Sequence, residues 1–283
     1  MYTIYEDPPT GGYPAPEIIY TDIEEKIHFC NMNIFAKHKD VPVIIVGDIH
    51  GNFDSLRRDI KKRCIENSII FLAGDVGVGF GYNNPREPQK EKKRLLDIND
   101  FIKRRNITIY AVAGNHDNPL FYDGEHNFSN LIFMQDYDVI EIGEHKYIGI
   151  GGATSIDRKR NLNFFHEGRR EGIDWWSEEK VVYNEEKLNE ISDIDVVIAH
   201  ICPKFAYPPI FNTYVNKWIE YDPDLTKELV SERELVTKIY NKLSESSSIS
   251  SWVYGHYHSS NFELCNNTKF KLLDIGEFYE IRF

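Results

Sequence analysis

Val41-Pro-Val-Ile-Ile-Val-Gly-Asp-Ile-His-Gly-Asn52 is the stretch whose reading decides the fold. A short apolar run, rich in β-branched residues, stops abruptly at Gly47-Asp48. The same shape recurs downstream. Ile69–Ala73 stops at Gly74-Asp75, Ile107–Ala113 at Gly114-Asn115, Val196–Ala199 at His200, and Trp252–Tyr254 at Gly255-His256. Continuous apolar runs of this length read as strands buried on both faces, as in a largely parallel sheet. Each run ends in Asp, Asn or His. Ligand sites of open α/β sheets gather at the carboxyl ends of their strands.

Between the early runs, apolar residues recur at helical spacing. Leu56, Ile60 and Cys64 predict a helix over Phe53–Glu66, and Leu95, Ile98, Phe101 and Ile102 predict another over Glu91–Arg105. Further helices are predicted over Glu178–Ile191, capped by Ser177, and over Asp224–Glu245. Leu131–Thr154 reads as a meander of two or three strands, and Phe270–Phe283 as two more. Strand–helix alternation followed by a strand-rich half predicts a layered α/β fold, an α/β/β/α sandwich of two mostly mixed β-sheets flanked by helices. Residues 7–16, rich in Pro and Gly, read as an extended arm, and residues 17–40 show no assignable pattern. Residues 1–40 are therefore set apart as an N-terminal extension, and 41–283 as a single domain.

The bulk composition narrows the class. The 283 residues carry a net charge of −12, with 28% charged and 41% hydrophobic residues, which is a globular composition rather than a disordered one. The acidic balance argues against a protein that coats long nucleic acid. No apolar run is long enough for a membrane span, and the first residues lack the basic and apolar regions of a signal peptide. Cys30, Cys64, Cys202 and Cys265 are scattered without a C-x-x-C pair, so reduced thiols in a cytoplasmic protein are expected.

The histidines carry the chemistry. Five of the ten lie in the strand-end segments: His50, His116, His200, His256 and His258. Asp48 and Asp75 stand beside them, each after a glycine, and Asn115 adds an amide oxygen. Such a mixed N/O set suits Mn, Fe, Zn, Co or Ni better than Ca or Mg. Asp48/His50 and His256/His258 are i, i+2 pairs, which in extended backbone point the same way. Asn115 and His116 are adjacent and should diverge. His28, His38, His126 and His145 stand outside these segments and read as ordinary surface or core residues.

In order, the segments read D-x-H, G-D, G-N-H-D, a lone His, then G-H-x-H. This order resembles the calcineurin-like metallophosphoesterases over about Val41 to His258. The resemblance implies a binuclear metal site at the strand C-terminal ends. Asp48, His50, Asp75 and His258 would hold one divalent ion. Asp75, as bridge, would hold the second with Asn115, His200 and His256. His116 would be the substrate-facing general acid, oriented by Asp117. Two divalent ions, Mn²⁺ foremost, would make the site net positive despite its two carboxylates. A bridging hydroxide would attack phosphorus while His116 protonates the leaving alkoxide. The implied activity is hydrolysis of a small phosphomonoester, phosphodiester or nucleotide-type compound. A nuclease, a protein phosphatase and a non-catalytic scaffold are the alternatives.

Departures narrow the branch. Val78 stands where purple acid phosphatases place a tyrosine ligand. Gly74–Phe80 also lacks the Asp-Arg pair of protein Ser/Thr phosphatases. Gly151-Gly-Ala-Thr-Ser155 followed by Trp175-Trp176 resembles a bacterial and phage-type set of metallophosphoesterases. Between them lie Arg158, Arg160, His166, Arg169 and Arg170, candidate substrate-binding residues of an insertion at 156–176. Asp157, Glu167 and Glu171 leave a salt-bridged, solvated loop equally open. Residues 203–222, rich in Pro and aromatics, read as a lid, a stacking wall or simple packing. The Gly-rich Gly74–Gly81 lacks P-loop features and reads as a turn.

Overall fold

The computed structural model describes residues 34–80, 88–159 and 168–283. In chain order it runs β1 (Ile34–His38), β2 (Val43–Val46), α1 (Phe53–Lys62), β3 (Ser68–Leu72), α2 (Pro88–Lys103), β4 (Ile107–Ala111) and β5 (Leu131–Phe133). There follow β6 (Val139–Ile142), β7 (His145–Ile150), α3 (Glu185–Glu190), β8 (Val196–Ala199), α4 (Thr213–Ile219) and α5 (Leu225–Ser244). The chain closes with β9 (Ser251–Tyr254), β10 (Asn261–Cys265), β11 (Thr268–Leu272) and β12 (Phe278–Glu280). One sheet has the order β12-β2-β3-β4-β5 and the other β1-β6-β7-β8-β9-β11-β10. Both are mixed. β2, β3, β4 and β5 run parallel, with β12 antiparallel at the edge.

All five apolar runs form strands, and their two-faced burial builds the layers. On β2 and β3, Val46, Ile70 and Leu72 pack with Leu56 and Ile60 of α1 and Leu95 and Ile98 of α2. Val43, Ile45, Ile69 and Phe71 face the other way and meet Ile140, Tyr147, Val196, Ile198 and Val253 of the second sheet. The outer face of that sheet, with Ile148, Val197 and Trp252, is covered by Leu188 of α3 and Val236, Ile239 and Leu243 of α5. The α/β/β/α sandwich follows directly, because a strand apolar on both faces needs a partner layer on each.

The departures are local. α1 stops at Lys62, and Cys64 lies beyond its end, exposed and in a left-handed conformation (φ 54°), so it is no part of the helix's apolar face. No continuous helix spans 178–191. Ser177–Glu179 is one 3₁₀ turn, and α3 begins only at Glu185, capped by the Asn184 side chain. Glu179 turns inward instead, accepting the backbone N–H of Ser155 and of Trp176, and the Val181-Val182-Tyr183 run that follows disfavours helix. Of the predicted meander, β5 joins the first sheet, and only β6 and β7 form a hairpin. β1, from the unassigned stretch before residue 41, pairs in parallel with β6. The two strands read from Phe270–Phe283 are β11 and β12, while β10, the antiparallel partner of β11, escaped the pattern because its Phe262 and Leu264 face solvent. Residues 7–16 lie outside the described residues.

Candidate metal centre and active site

The site lies where β2, β3, β4, β8 and β9 end. Asp48 follows β2, Asp75 follows β3, Asn115 and His116 follow β4, His200 follows β8, and His256 and His258 follow β9. Asp48, His50, Asp75 and His258 each offer a donor atom, all within 4.8 Å of one another. The Nε2 atoms of His50 and His258 face each other at 3.0 Å, and His258 Nε2 lies 3.2 Å from Asp48 Oδ2. Asp75 turns its two oxygens to different neighbours. Oδ1 is 3.1 Å from His200 Nε2, while Oδ2 is 3.8 Å from His50 Nδ1. Asn115 Oδ1 is 3.2 Å from the same His200 nitrogen, and the ring of His256 lies 5.0 Å from that of His200. The seven sequence-predicted ligands thus form two groups meeting at Asp75.

The reach comes from strained turns, and not from extended i, i+2 geometry. His50, Asp75, His256 and His258 all have positive φ, between 44° and 71°. Each such non-glycine residue costs about 1–3 kcal/mol, a strain that persists only where surroundings enforce it and that gathers at functional sites. Two glycines allow the closeness. A Cβ on Gly74 would lie 2.1 Å from His200 Nδ1, and one on Gly255 2.0 Å from Asp48 Oδ1.

The donor set fits divalent cations. Asp48 and Asp75 are buried carboxylates, and no Lys or Arg pairs with either among the described residues. Buried charge without a counter-ion is costly. Burial would push Asp75 up, but His116, His200 and His50 outweigh it and hold the carboxyl well below its usual range. Burial would likewise lower His200, yet Asp75 and Asp48 drive it up to about 10. The two carboxylates demand positive charge, and a proton on His200 stands where a cation would serve. Neighbours also orient the donors. His200 Nδ1 donates to the Ala73 carbonyl at 2.8 Å, leaving Nε2 to face inward. Asn115 Nδ2 donates to Ser155 Oγ at 3.1 Å, so the amide oxygen points to His200.

His116 has other company than the sequence suggested. No hydrogen bond joins the Asp117 carboxylate to the His116 ring among the described residues. The Asp117 carboxylate accepts four backbone N–H groups, from Val76, Gly77, Val78 and Gly114. The turn after β3 is thus an anion-binding nest, and its anion is this side chain. His116 stacks on Phe80 at 4.6 Å, its backbone N–H donates to Asp75 Oδ1, and Arg169 Nη2 lies 3.0 Å from its Nε2. Arg169 is held by the Asp157 carboxylate and the Asp174 carbonyl. Burial, opposed by Asp75 and aided by Arg169, pushes the imidazole down to about 3, so it is neutral in this arrangement.

The other candidate substrate residues do not join this group. Arg158 is buried and fully engaged, with Nε on Asp222 and both terminal nitrogens on Glu228. Arg170 pairs with Asp174. Arg160 and His166 lie outside the described residues. Arg233 of α5 donates to the carbonyls of Pro203, Ala206 and Pro208 and to the Tyr257 hydroxyl, anchoring the 203–222 segment to the last motif. The sequence reading missed Ser155, although the Gly151–Ser155 segment pointed to it. It also missed Arg94, which donates to the carbonyls of Gly51 and Gly77 from a helix without any motif.

The family model for calcineurin-like phosphoesterases matches residues 41–260. The chain belongs to that family. Among curated relatives of this phosphoesterase is the DNA double-strand break repair protein Mre11 of Methanocaldococcus jannaschii, 26% identical over 166 residues. That match takes in 55% of this chain and 43% of the relative, so the chain spans less than half of the archaeal protein's length. Among solved structures, a phosphopantetheinyl hydrolase from Mycobacterium tuberculosis is similar at 12% identity and a TM-score of 0.39, over 84% of this chain and 90% of that one. A dimetal phosphatase from Danio rerio is similar at 11% identity and a TM-score of 0.44, over 83% and 87%.

Proposed function

We propose that this calcineurin-like phosphoesterase hydrolyses a small phosphomonoester, phosphodiester or nucleotide-type compound at a two-metal centre. The single observation that carries the reading is the meeting of two donor groups at Asp75, one oxygen toward His50 and the other toward His200. Asp48, His50, Asp75 and His258 would hold one ion, and Asp75, Asn115, His200 and His256 the other, with Mn²⁺ as our first choice. Such ions, when bound, supply Lewis acidity that activates water and neutralises phosphoryl charge.

The chain's own residues do the rest. Ser155 and the Ala73 carbonyl preset the Asn115 and His200 donors. Phe80 stacks on the His116 ring and Asp75 accepts its backbone N–H; once Arg169 turns to the substrate, Nε2 would be free to take up a proton from solvent and pass it to the leaving oxygen. Arg169 caps that nitrogen in the free protein and would bind a phosphoryl oxygen as substrate enters. A reducing compartment such as the cytoplasm belongs to the same proposal. Cys64, Cys202 and Cys265 are free thiols, and no described helix is long and apolar enough to cross a membrane.

A second reading, a nuclease, is favoured by the similarity to the archaeal repair protein. The net charge of −12 weighs against long nucleic acid. Mn²⁺-loaded protein assayed on an aryl phosphate monoester, the matching diester and a short oligonucleotide tests both readings. Turnover of an aryl ester that chelator abolishes is expected. Inactivity on all three by metal-loaded protein would refute the proposal, and activity on the oligonucleotide alone would move the reading to the nuclease.

A further inference from the structure

A cleft of 290 Å³ opens between the start of α1 and the first half of α2, reaching Gly51 and Asn52, the two residues that follow His50. Four cations line it, Arg57, Lys90, Lys93 and Arg94, against the carboxylates of Asp54 and Asp97. The cleft is therefore cationic on a chain whose net charge is −12.

Arg94 is spent within the fold, paired with Glu91 and donating to the carbonyls of Gly51 and Gly77, so the charge open to a ligand comes chiefly from Arg57 and Lys93. Asp97 stands four residues after Lys93, the spacing of a helix ion pair, yet the two form none. The Lys93 side chain is exposed and has no ion pair or hydrogen bond among the described residues. Asp54 reaches Arg57 only at 3.4 Å, from a side chain that is 79% exposed, and so neutralises little. The Nε–H groups of Arg57 and Arg94 have no acceptor among the described residues. The first turn of α1 adds its positive end, with Asn52 capping only the N–H of Ser55.

We propose that this cleft is a second anion subsite, which receives a further phosphate group of the substrate beside the one at the metal centre. The inference rests on the phosphoesterase reading and sharpens its substrate class to compounds carrying more than one phosphate. The further phosphate comes either from an oligophosphate chain, as in a nucleoside diphosphate, or from the next nucleotide of a short strand.

Two measurements test the subsite. Calorimetric titration of the full chain with tripolyphosphate, in chelator, reads the cleft without metal or turnover. Binding should weaken about tenfold in Arg57→Ala/Lys93→Ala, two lost charge contacts of under about 1 kcal/mol each. It should hold in Lys61→Ala/Lys62→Ala, which removes the same charge at the far end of α1. In the Mn²⁺-loaded enzyme, kcat/KM for a nucleoside diphosphate relative to its monophosphate should fall by the same factor in the first variant. A dinucleotide with and without its 5′-phosphate reads the strand source. Equal weakening by both double variants, or by neither, would overturn the subsite. Intact tripolyphosphate binding in a protein that hydrolyses no ester would instead refute the phosphoesterase reading alone.

Discussion

Arg169 Nη2 donates to His116 Nε2 at 3.0 Å while holding the Asp157 carboxylate. A guanidinium can only donate, so His116 accepts at Nε2 and carries its proton on Nδ1, toward Asp75. Arg169 therefore caps the nitrogen that would have to take up a proton before it could give one to a leaving group. Arg169→Ala should lower kcat/KM for an aryl phosphate by about 10–100-fold, the loss of a charge-assisted contact of ~1.5–3 kcal/mol. Arg169→Lys should restore little, because it keeps the charge but not the planar fork. Steady-state kinetics on the three proteins checks this, and a fully active Ala variant would exclude the contact from turnover.

Asp75 and His116 should separate metal loading from turnover. Asp75→Asn removes the charge shared by both donor groups and should abolish activity together with most bound metal. His116→Ala should lower kcat by about 10²–10⁴-fold with metal content unchanged. Elemental analysis beside the assay decides, and metal loss in the His116 variant would make that histidine a ligand.

Asp117→Asn should behave as a fault in the scaffold. The amide oxygen cannot satisfy all four N–H groups that the carboxylate accepts from Val76, Gly77, Val78 and Gly114. The expected result is metal affinity weaker by about tenfold, as for other groups that support ligands from behind. Amide exchange at residues 76–78 should quicken as well. Normal exchange with a purely kinetic defect would return Asp117 to the role of orienting His116.

Arg158→Ala should cost stability and leave KM unmoved. Its guanidinium bridges Asp222, which is 1% exposed, to Glu228. Removing one partner of a buried ion pair costs about 3–5 kcal/mol. Lys159, which also reaches Asp222, holds the loss toward the lower figure. Thermal melting measures it, and a raised KM at an unchanged Tm would restore Arg158 as a phosphate clamp.

Glu232 gives a pH signature. Burial pushes its carboxyl up to about 7, against the opposing pull of Thr154, Arg233 and Lys180. A carboxyl raised in the folded state is protonated there at a pH where the unfolded chain has already ionised. Its effect therefore favours folding below about pH 4.5 and turns against it as the pH climbs to 7. Glu232→Gln should melt about 3 °C higher than the parent at pH 8, with the difference closing by pH 5. A pH-independent difference would show that the carboxyl titrates normally.

Much of this was legible in one dimension. Val41–Val46 and its four counterparts announced buried strands because apolar side chains on both faces leave no other solution. The Asp, Asn and His residues after them announced a site because strand ends converge. Helix extents were less legible. Cys64 and Glu179 sit at helical spacing, but one is itself left-handed, beyond the helix end, and the other serves a backbone N–H across the fold. β10 stayed hidden because an edge strand with exposed Phe262 and Leu264 has no buried face to betray it.

By itself the sequence determined the layered α/β fold and which Asp, Asn and His residues stand at its strand ends, in what order along the chain. Local pattern and residue chemistry suffice for those. The tertiary structure alone decided which oxygen of Asp75 faces which histidine, that His50, Asp75, His256 and His258 sit in left-handed turns, and that the Asp117 carboxylate fills a nest of N–H groups. It alone chose Arg169 over Arg158 as the cation at His116. Identical side chains in one basic run meet different fates because the partners that claim them, Asp222 and Glu228 for one and Asp157 for the other, are brought close only by folding.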